Sequence, residues 1–282
     1  MRRKEKKMPG FCCLLVLTGF LAAGPAFAQG PAEGPASQIS ARIERLQARY
    51  QISFKYADFP KMPDILKFKE ISAAEEGQRG LSPLGFGEYR LLDEYLALFE
   101  EEISKYPAGF FKDQDVRGIG FVRALFFKGK SAQGLYNHGA RVMFFDISRF
   151  RRNKAQQRHS IHHEIFHMMM EKKGYPLFYE QWAALNTPGF VYGKQSKPLT
   201  EVNPYNTTAP NQLGFVSYYA MESAAEDQAE VFACLMQEKH RKIIEGWALK
   251  DEAMAKKVQM IKDFAQYYHP EMGEKYWRTD NR

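Results

Sequence analysis

The sequence contains very little cysteine, and most of it lies near the N-terminus. Three cysteines occur among 282 residues, two of them at positions 12 and 13. If an N-terminal segment carrying this pair is removed, Cys234 is left alone and the mature chain can form no internal disulfide. Because a chain of this size can bury a sufficient apolar core, we expect its stability to come from packing or a bound metal rather than from crosslinks.

Long hydrophobic runs are also scarce. Residues 11–24 form one, preceded by five basic residues within positions 2–7 and followed by Ala26-Phe27-Ala28. Such a basic segment, short apolar segment and A-x-A motif predict a secretory signal peptide over residues 1–28. A membrane anchor is the alternative, but the run is short for a span and is followed by a glycine and a proline. We therefore expect an exported protein, periplasmic or extracellular, with no stable membrane anchor after cleavage.

A strong excess of one charge is missing once this segment is removed. The full chain carries 40 Lys and Arg against 33 Asp and Glu, a net charge of +7. Residues 1–28 hold five of the basic residues and one of the acidic ones, so the net charge of the mature chain falls to +3. No stripe of arginine and lysine interleaved with aromatics stands out, which argues against a nucleic-acid partner.

What the sequence does contain is an H-E-x-x-H motif at residues 163–167. On a helix, residues four apart lie on the same face, so His163 and His167 can direct imidazole nitrogens at one point. Two such nitrogens suit Zn²⁺, and Glu164 can lie beside the metal as the base that takes a proton from a bound water. A chance match on an ordinary helix is the alternative reading of the motif alone.

A catalytic zinc needs a third protein ligand. The third histidine of the pattern H-E-x-x-H-x-x-G-x-x-H is absent, as is its glycine. Glu226 and Glu230 offer another solution, because they lie four residues apart at the start of a predicted helix. We assign Glu226 to zinc and Glu230 to a hydrogen bond with His163. The competing interpretation is a capping box formed by Ser223 and Glu226, which requires no metal.

Apolar spacing predicts that much of the chain is helical. Predicted helices cover residues 38–50, 87–105, 223–240 and 241–268. The motif lies on a further helix, which should begin at an N-cap at Asn153, with Gln156 completing a capping box, and end at Gly174.

Apolar runs bounded by turn residues predict a few short strands. They cover residues 52–56, 117–128 and 141–147, and a loop is expected at 129–139. Residues 57–86 are expected to be loop with a short helical piece, and residues 175–216 to be a packed, irregular wall of the cleft. After the signal peptide we expect a linker at 29–37 and one domain at 38–282: helical to about residue 116, a catalytic core at about 117–240 and helices at 241–282.

Several polar and sulfur-bearing groups near the motif are interpreted as structural. The acidic run at 100–102 is expected to be a solvated helix face, and Met168, Met169 and Met170 are expected to be core. The histidines expected not to bind metal are His138, His159, His162, His240 and His269.

Residues 214–220 (Gly-Phe-Val-Ser-Tyr-Tyr-Ala), followed by the E-x-x-A-E helix at 226–230, resemble the glutamate-zincin (gluzincin) peptidases. The resemblance is to secreted bacterial zinc metallopeptidases and to the catalytic domain of anthrax lethal factor. Residues 182–193 are also similar to the bacterial peptidases, and the resemblance covers roughly residues 117–240. It implies an α+β, zincin-like fold, in which a small mixed sheet packs on the H-E-x-x-H helix and the remainder is mainly helical.

The resemblance also implies a role for Tyr219. In those families a tyrosine lies seven residues before the ligand glutamate, as Tyr219 does before Glu226, and its hydroxyl would stabilise the developing oxyanion. The alternative is a tyrosine packed in the wall with its hydroxyl in solvent. In zincins, a strand beside the metal helix binds extended peptide through its backbone. We expect the strand at 141–147 to fill this role, because it runs directly into the helix.

These patterns together predict an exported zinc peptidase that hydrolyses peptide bonds with a water activated by Glu164. One alternative is a zinc-containing module of zincin fold that binds peptides or proteins without cutting them. Another is a protease whose cleft is covered in the resting protein. The intact Glu164 favours an enzyme, because a pure binding module does not need this carboxylate.

Overall fold

The computed structural model describes residues 35–56, 80–82, 84–127, 130–173, 176–194 and 214–278. The predicted signal peptide lies outside these residues, as does most of the stretch 57–86. The described residues belong to one compact unit, and most of their buried apolar side chains form one hydrophobic core. None of the described helices combines the length and the apolar character needed to cross a bilayer.

The helices occupy most of the described chain. They are α1 Pro35–Tyr50, α2 Tyr89–Ile103, α3 Phe110–Asp113, α4 Lys154–Lys173, α5 Pro176–Ala183, α6 Ala224–Leu235, α7 Glu238–Ala248, α8 Glu252–Tyr268 and α9 Glu274–Arg278. Short 3-10 turns cover Phe86–Glu88, Tyr219–Met221 and Pro270–Met272.

The strands form two small sheets. They are β1 Ser53–Lys55, β2 Gly80–Ser82, β3 Gly118–Val122, β4 Ala124–Phe127, β5 Lys130–Ser131, β6 Gly134–Asn137 and β7 Val142–Asp146. The first sheet has the order β1-β3-β7-β6, in which β6 is antiparallel to β7 and the other pairs are parallel. The second has the order β2-β4-β5 and is antiparallel. A small mixed sheet with many helices confirms the predicted α+β class.

Two predictions about the strands were wrong. The single strand predicted over 117–128 divides at Arg123 into β3 and β4, which belong to different sheets. The loop predicted over 129–139 contains β5 and β6. As a result β7 lies inside its sheet, and β6 forms one of the two edges. The four residues of β6 include a glycine and carry no clear alternation, so only pairing with β7 and packing on α4 make them a strand.

Three predictions about the helices also differ from the structure. Helix α1 begins at Pro35, inside the predicted linker, because proline is well tolerated in the first turn of a helix. Part of the wall predicted to be irregular forms α5. The helix predicted over 241–268 is divided into α7 and α8, and the side chain of Asp251 caps α8 by accepting a hydrogen bond from the Met254 N–H (3.0 Å).

Helix α4 is surrounded by other elements, with β6, α2 and α6 against it. Its apolar side chains are buried, and they include the three consecutive methionines, as predicted: Ile161, Ile165, Phe166, Met168, Met169 and Met170. Asn153 caps the helix by accepting the Gln156 N–H (3.0 Å), while the Asn153 N–H donates to the carbonyl of Arg149, so the reciprocal half of the capping box is not formed. Because so little of α4 faces water, its polar side chains need partners within the protein.

Glu102 corrects the prediction of a solvated acidic face. Its side chain is completely buried where α2 meets α4, and it accepts hydrogen bonds from Lys105, Arg158 and His162. Burial opposes its ionisation, but hydrogen bonds from His162 and Lys105 hold the pKa of Glu102 to about 2. His162 also contacts the Tyr106 hydroxyl at 2.7 Å, so both of its ring nitrogens are engaged in this network, away from His163.

Replacing Glu102 should strongly destabilise the fold. In Glu102→Ala the partly buried cations Lys105 and Arg158 and the buried His162 lose the buried carboxylate that they share, and breaking a buried charge network costs about 3–5 kcal/mol. Urea denaturation should show this loss. The matched control is Glu101→Ala, which removes a largely exposed partner of Arg158 and should cost no more than about 1 kcal/mol. Equal unfolding midpoints for the two variants would contradict the buried role of Glu102.

Candidate metal centre

Helices α4 and α6 lie against each other and bring the three predicted ligands together. The His163 and His167 Nε2 atoms are 3.0 Å apart. The Glu226 Oε2 atom lies 2.9 Å from the first and 3.4 Å from the second. Three ligand atoms from positions 163, 167 and 226 therefore form a compact triangle, as expected of a metal-binding group.

The size of this triangle fits Zn²⁺. Ligands placed tetrahedrally at about 2.0–2.1 Å from a metal lie about 3.3 Å from one another. The Glu226 Oε2 atom is also buried, and among the described residues it has no aligned hydrogen-bond donor although two imidazole nitrogens are close to it. Two imidazole nitrogens and a carboxylate oxygen converging in this way are the donor set of a catalytic zinc site that keeps one position open.

Glu230 fixes the orientation of the first histidine. Its Oε1 atom is 2.9 Å from His163 Nδ1, which leaves the proton on Nδ1 and the lone pair of Nε2 directed at the triangle. Burial lowers the pKa of His163, but the neighbouring carboxylates of Glu226 and Glu230 outweigh burial and hold the pKa well above its ordinary value. The two carboxylates thus favour positive charge at this point. The hydrogen bond predicted between Glu230 and His163 is present.

His159 is a partner that sequence reasoning missed. It was expected only to be a non-ligand, and it lies outside the triangle, yet its Nε2 atom is 2.6 Å from the same Glu230 Oε1 atom. His159, His163 and Glu230 are a second group close enough to hold a metal, but their short contacts are hydrogen bonds within the protein. The available signal was spacing: His159 precedes His163 by four residues and so shares its helix face.

Glu164 lies next to the triangle and against strand β6. A Cβ atom added to Gly134 would lie 2.4 Å from Glu164 Cγ, closer than real side-chain contacts allow. The backbone of Tyr136 is also close enough to the Glu164 carboxylate to favour its charged form. Burial and the nearby Glu226 raise the pKa of Glu164, although His163 and His167 oppose the shift. The glycine therefore allows the carboxylate to sit directly on the edge strand.

Tyr219 completes the group of predicted residues. Its ring centroid is 5.7 Å from that of His163, and its side chain is 40% exposed. Burial of the hydroxyl and the negative charges of Glu226, Glu164 and Glu230 raise its pKa. The phenol therefore stays protonated and can donate a hydrogen bond.

Ser223 shows that the two competing interpretations of Glu226 are compatible. The Ser223 hydroxyl accepts the backbone N–H of Glu226 at 3.2 Å, as a helix cap does. The Glu226 carboxylate nevertheless faces the two histidines. Capping uses the backbone of this residue and leaves its side chain free to serve as a ligand.

Asp227, directly after Glu226, anchors α6 from the opposite side. It is completely buried, and its Oδ2 atom accepts hydrogen bonds from Lys257 Nζ (2.7 Å), Trp182 Nε1 (2.8 Å) and the Tyr192 hydroxyl (2.8 Å). The segment that follows α5 and helix α8 are thereby attached to the helix that carries Glu226. Sequence reasoning assigned no role to Asp227 or Lys257, because 30 residues separate them.

Residues 119–269 match the model of a protein family described as "putative zinc-binding metallo-peptidase". The match covers more than half of the chain and includes both helices of the metal centre, so the protein belongs to this family. The prediction of Zn²⁺ as its cofactor is thereby confirmed. No match was found among curated proteins or among solved structures.

Metal analysis should find about one zinc per chain, as expected for one three-ligand site. His167→Ala should lower zinc affinity by more than roughly 100-fold, because even loss of a group that only orients a ligand commonly costs 10- to 100-fold. Competition with a chromogenic chelator measures this. The exposed His138 supplies the control, and His138→Ala should bind zinc as the unaltered protein does. Full zinc content in the His167 variant would rule out this triangle as the binding site.

Proposed function

We propose that the protein is an exported zinc peptidase of gluzincin type, with a zincin-like fold, that hydrolyses peptide bonds. The observation that carries this proposal is the placement of Glu164. This carboxylate lies beside three converging ligand atoms and is held there by the edge of a strand. A site built only to hold a structural metal has no use for such a group. Export rests on the N-terminal sequence pattern.

His163, His167 and Glu226 would hold the metal. When bound there, zinc supplies a Lewis acid that polarises the peptide carbonyl and makes water more acidic. Glu164 accepts the proton of the attacking water and then delivers it to the leaving amine. Its raised pKa makes the carboxylate a better proton acceptor.

Tyr219 stabilises the negative charge that develops on the substrate oxygen. Because its pKa is raised, the phenol is a hydrogen-bond donor at neutral pH. A donor positioned before the reaction stabilises a developing oxyanion without reorganisation.

Strand β6 provides the place for an extended peptide. It forms one edge of its sheet, and its residue Gly134 lies against the Glu164 side chain, so this edge borders the site. An added peptide strand would hydrogen-bond to the backbone of β6 and run past Glu164. We therefore assign peptide binding to β6. The strand at 141–147, expected from the sequence to bind the peptide, contains β7, which lies inside the sheet.

A zinc-containing module that binds peptides without cutting them is the second candidate. The wide contact between α4 and α6 and the buried Glu230 would support such a module equally well. The two candidates differ in whether the Glu164 carboxylate is needed.

Glu164→Gln should retain zinc and lose hydrolysis. The amide keeps the size of the side chain but cannot accept a proton, and loss of general-base catalysis commonly costs at least roughly 100-fold in rate. Digestion of a broad peptide library with and without chelator measures this, alongside metal analysis of the same samples. Glu101→Gln, on an exposed part of α2, is the control and should digest the library normally. Undiminished cleavage by the Glu164 variant would overturn the proposed function.

Gly134→Ala should give the same pattern by a steric route. The new methyl group would displace the Glu164 side chain, so zinc should be retained while hydrolysis falls by roughly 100-fold, as expected for a misplaced catalytic group. Gly139→Ala is the matched control, because its methyl group meets only Asn137 Oδ1 at 3.7 Å. Normal hydrolysis by Gly134→Ala would show that contact with β6 does not position Glu164.

A further inference from the structure

Ser217 lies two residues before Tyr219 and is buried, with 4% of its surface exposed. Its hydroxyl donates a hydrogen bond to Glu230 Oε2 (2.7 Å) and accepts one from the backbone N–H of Ala220 (3.0 Å). The second bond is a local side-chain-to-backbone bond to the middle residue of the 3-10 turn Tyr219–Met221. The hydroxyl thus joins this turn to the carboxylate.

The other oxygen of Glu230 is occupied by the histidines. Oε1 lies within 2.9 Å of His163 Nδ1 and 2.6 Å of His159 Nε2. One buried carboxylate is therefore attached on one side to the helix that carries His163 and on the other, through Ser217, to the turn that carries Tyr219. The Glu230 carboxylate thus links the helix that carries His163 to the turn that carries Tyr219 and helps to fix the distance between them.

The turn is also held by backbone hydrogen bonds. It is three residues long, the Glu222 N–H donates to the carbonyl of Tyr219 at 3.1 Å, and the Gly193 N–H donates to the carbonyl of Met221 at 2.9 Å. The Tyr219 side chain is partly exposed, so packing holds it less firmly than the core residues around it. The Ser217 hydroxyl is the described side-chain group that hydrogen-bonds both to this turn and to the carboxylate that orients His163.

We propose that Ser217 is a positioning residue, which places the Tyr219 hydroxyl relative to His163 by binding Glu230. The inference rests on the proposed function, since the position of the phenol affects turnover only if Tyr219 serves the reaction. Ser217→Ala removes both hydrogen bonds of the hydroxyl and releases the turn. Glu230 keeps its two histidine partners, so zinc should remain bound.

The kinetic test compares the unaltered protein, Ser217→Ala, Tyr219→Phe and the double variant on a peptide identified in the library digest. Ser217→Ala should lower kcat by roughly 10- to 100-fold with KM nearly unchanged, because an ångström-scale displacement of a catalytic group has effects of this size. Once the phenol hydroxyl is gone, its position no longer matters. The double variant should therefore be within about twofold of Tyr219→Phe.

A purely structural role would give a different result. The rate losses of Ser217→Ala and Tyr219→Phe would then multiply in the double variant, and that outcome would overturn the proposal. Ser217→Thr, which retains a hydroxyl, should recover most of the lost kcat. Ser160→Ala is the matched control: Ser160 is also buried and its hydroxyl donates to Gln133 Oε1 (3.1 Å), so its loss should leave kcat unchanged.

Hydrogen exchange tests the link without any substrate. In Ser217→Ala the amide of Ala220 loses its acceptor, so exchange over residues 217–222 should become roughly tenfold faster while α6 stays protected. Unchanged exchange there would overturn the proposal even if no peptide were cleaved. If Glu164→Gln remains active, the proposed function fails instead; if Glu164→Gln is inactive and Ser217→Ala is fully active, only the positioning role fails.

Discussion

The buried carboxylate of Glu230 is the interaction on which the site depends. It accepts hydrogen bonds from His159, His163 and Ser217, which lie on two separate parts of the chain. An ionised group in so buried a position is costly unless hydrogen bonds satisfy it, and burial does oppose its charge. The two histidines nevertheless hold the pKa of Glu230 well below its usual value. The carboxylate is thus a fixed negative charge that orients the His163 imidazole and joins two helices.

The same constraint appears at two other places around this centre. Glu102 binds Arg158 and His162 of α4, and Asp227 of α6 binds Lys257 of α8. Each of the three acidic residues is buried at a contact between helices and is surrounded by donors from different elements. Because a buried charge tolerates few arrangements of its partners, these groups determine how the helices are rotated against one another. That rotation directs His163, His167 and Glu226 to a single point.

The edge of the sheet leaves the space that the Glu164 side chain needs. Strand β6 approaches α4 so closely that only glycine is accommodated opposite Glu164. The chain belongs to a family described as zinc-binding metallopeptidases, and Glu164 lies between the three converging side chains and the strand edge. These two observations agree, and together they support the proposed hydrolytic role. Residues 195–213, part of the stretch 175–216 predicted to form a wall of the cleft, lie outside the described part of the chain.

The sequence by itself determined the features that depend on local spacing. Residues four apart on a helix share a face whatever surrounds them, so the pairing of His163 with His167 and of Glu226 with Glu230 could be predicted without a structure. The caps formed by Asn153 and Ser223 are local in the same sense. Only the tertiary structure decided the features that join distant segments. The edge position of β6, the burial of Glu102 and the bond from Ser217 to Glu230 each depend on which elements pack together. No local pattern carries that information, because four residues without clear alternation form a strand only beside β7, and an acidic residue becomes a buried partner only when α4 lies against it.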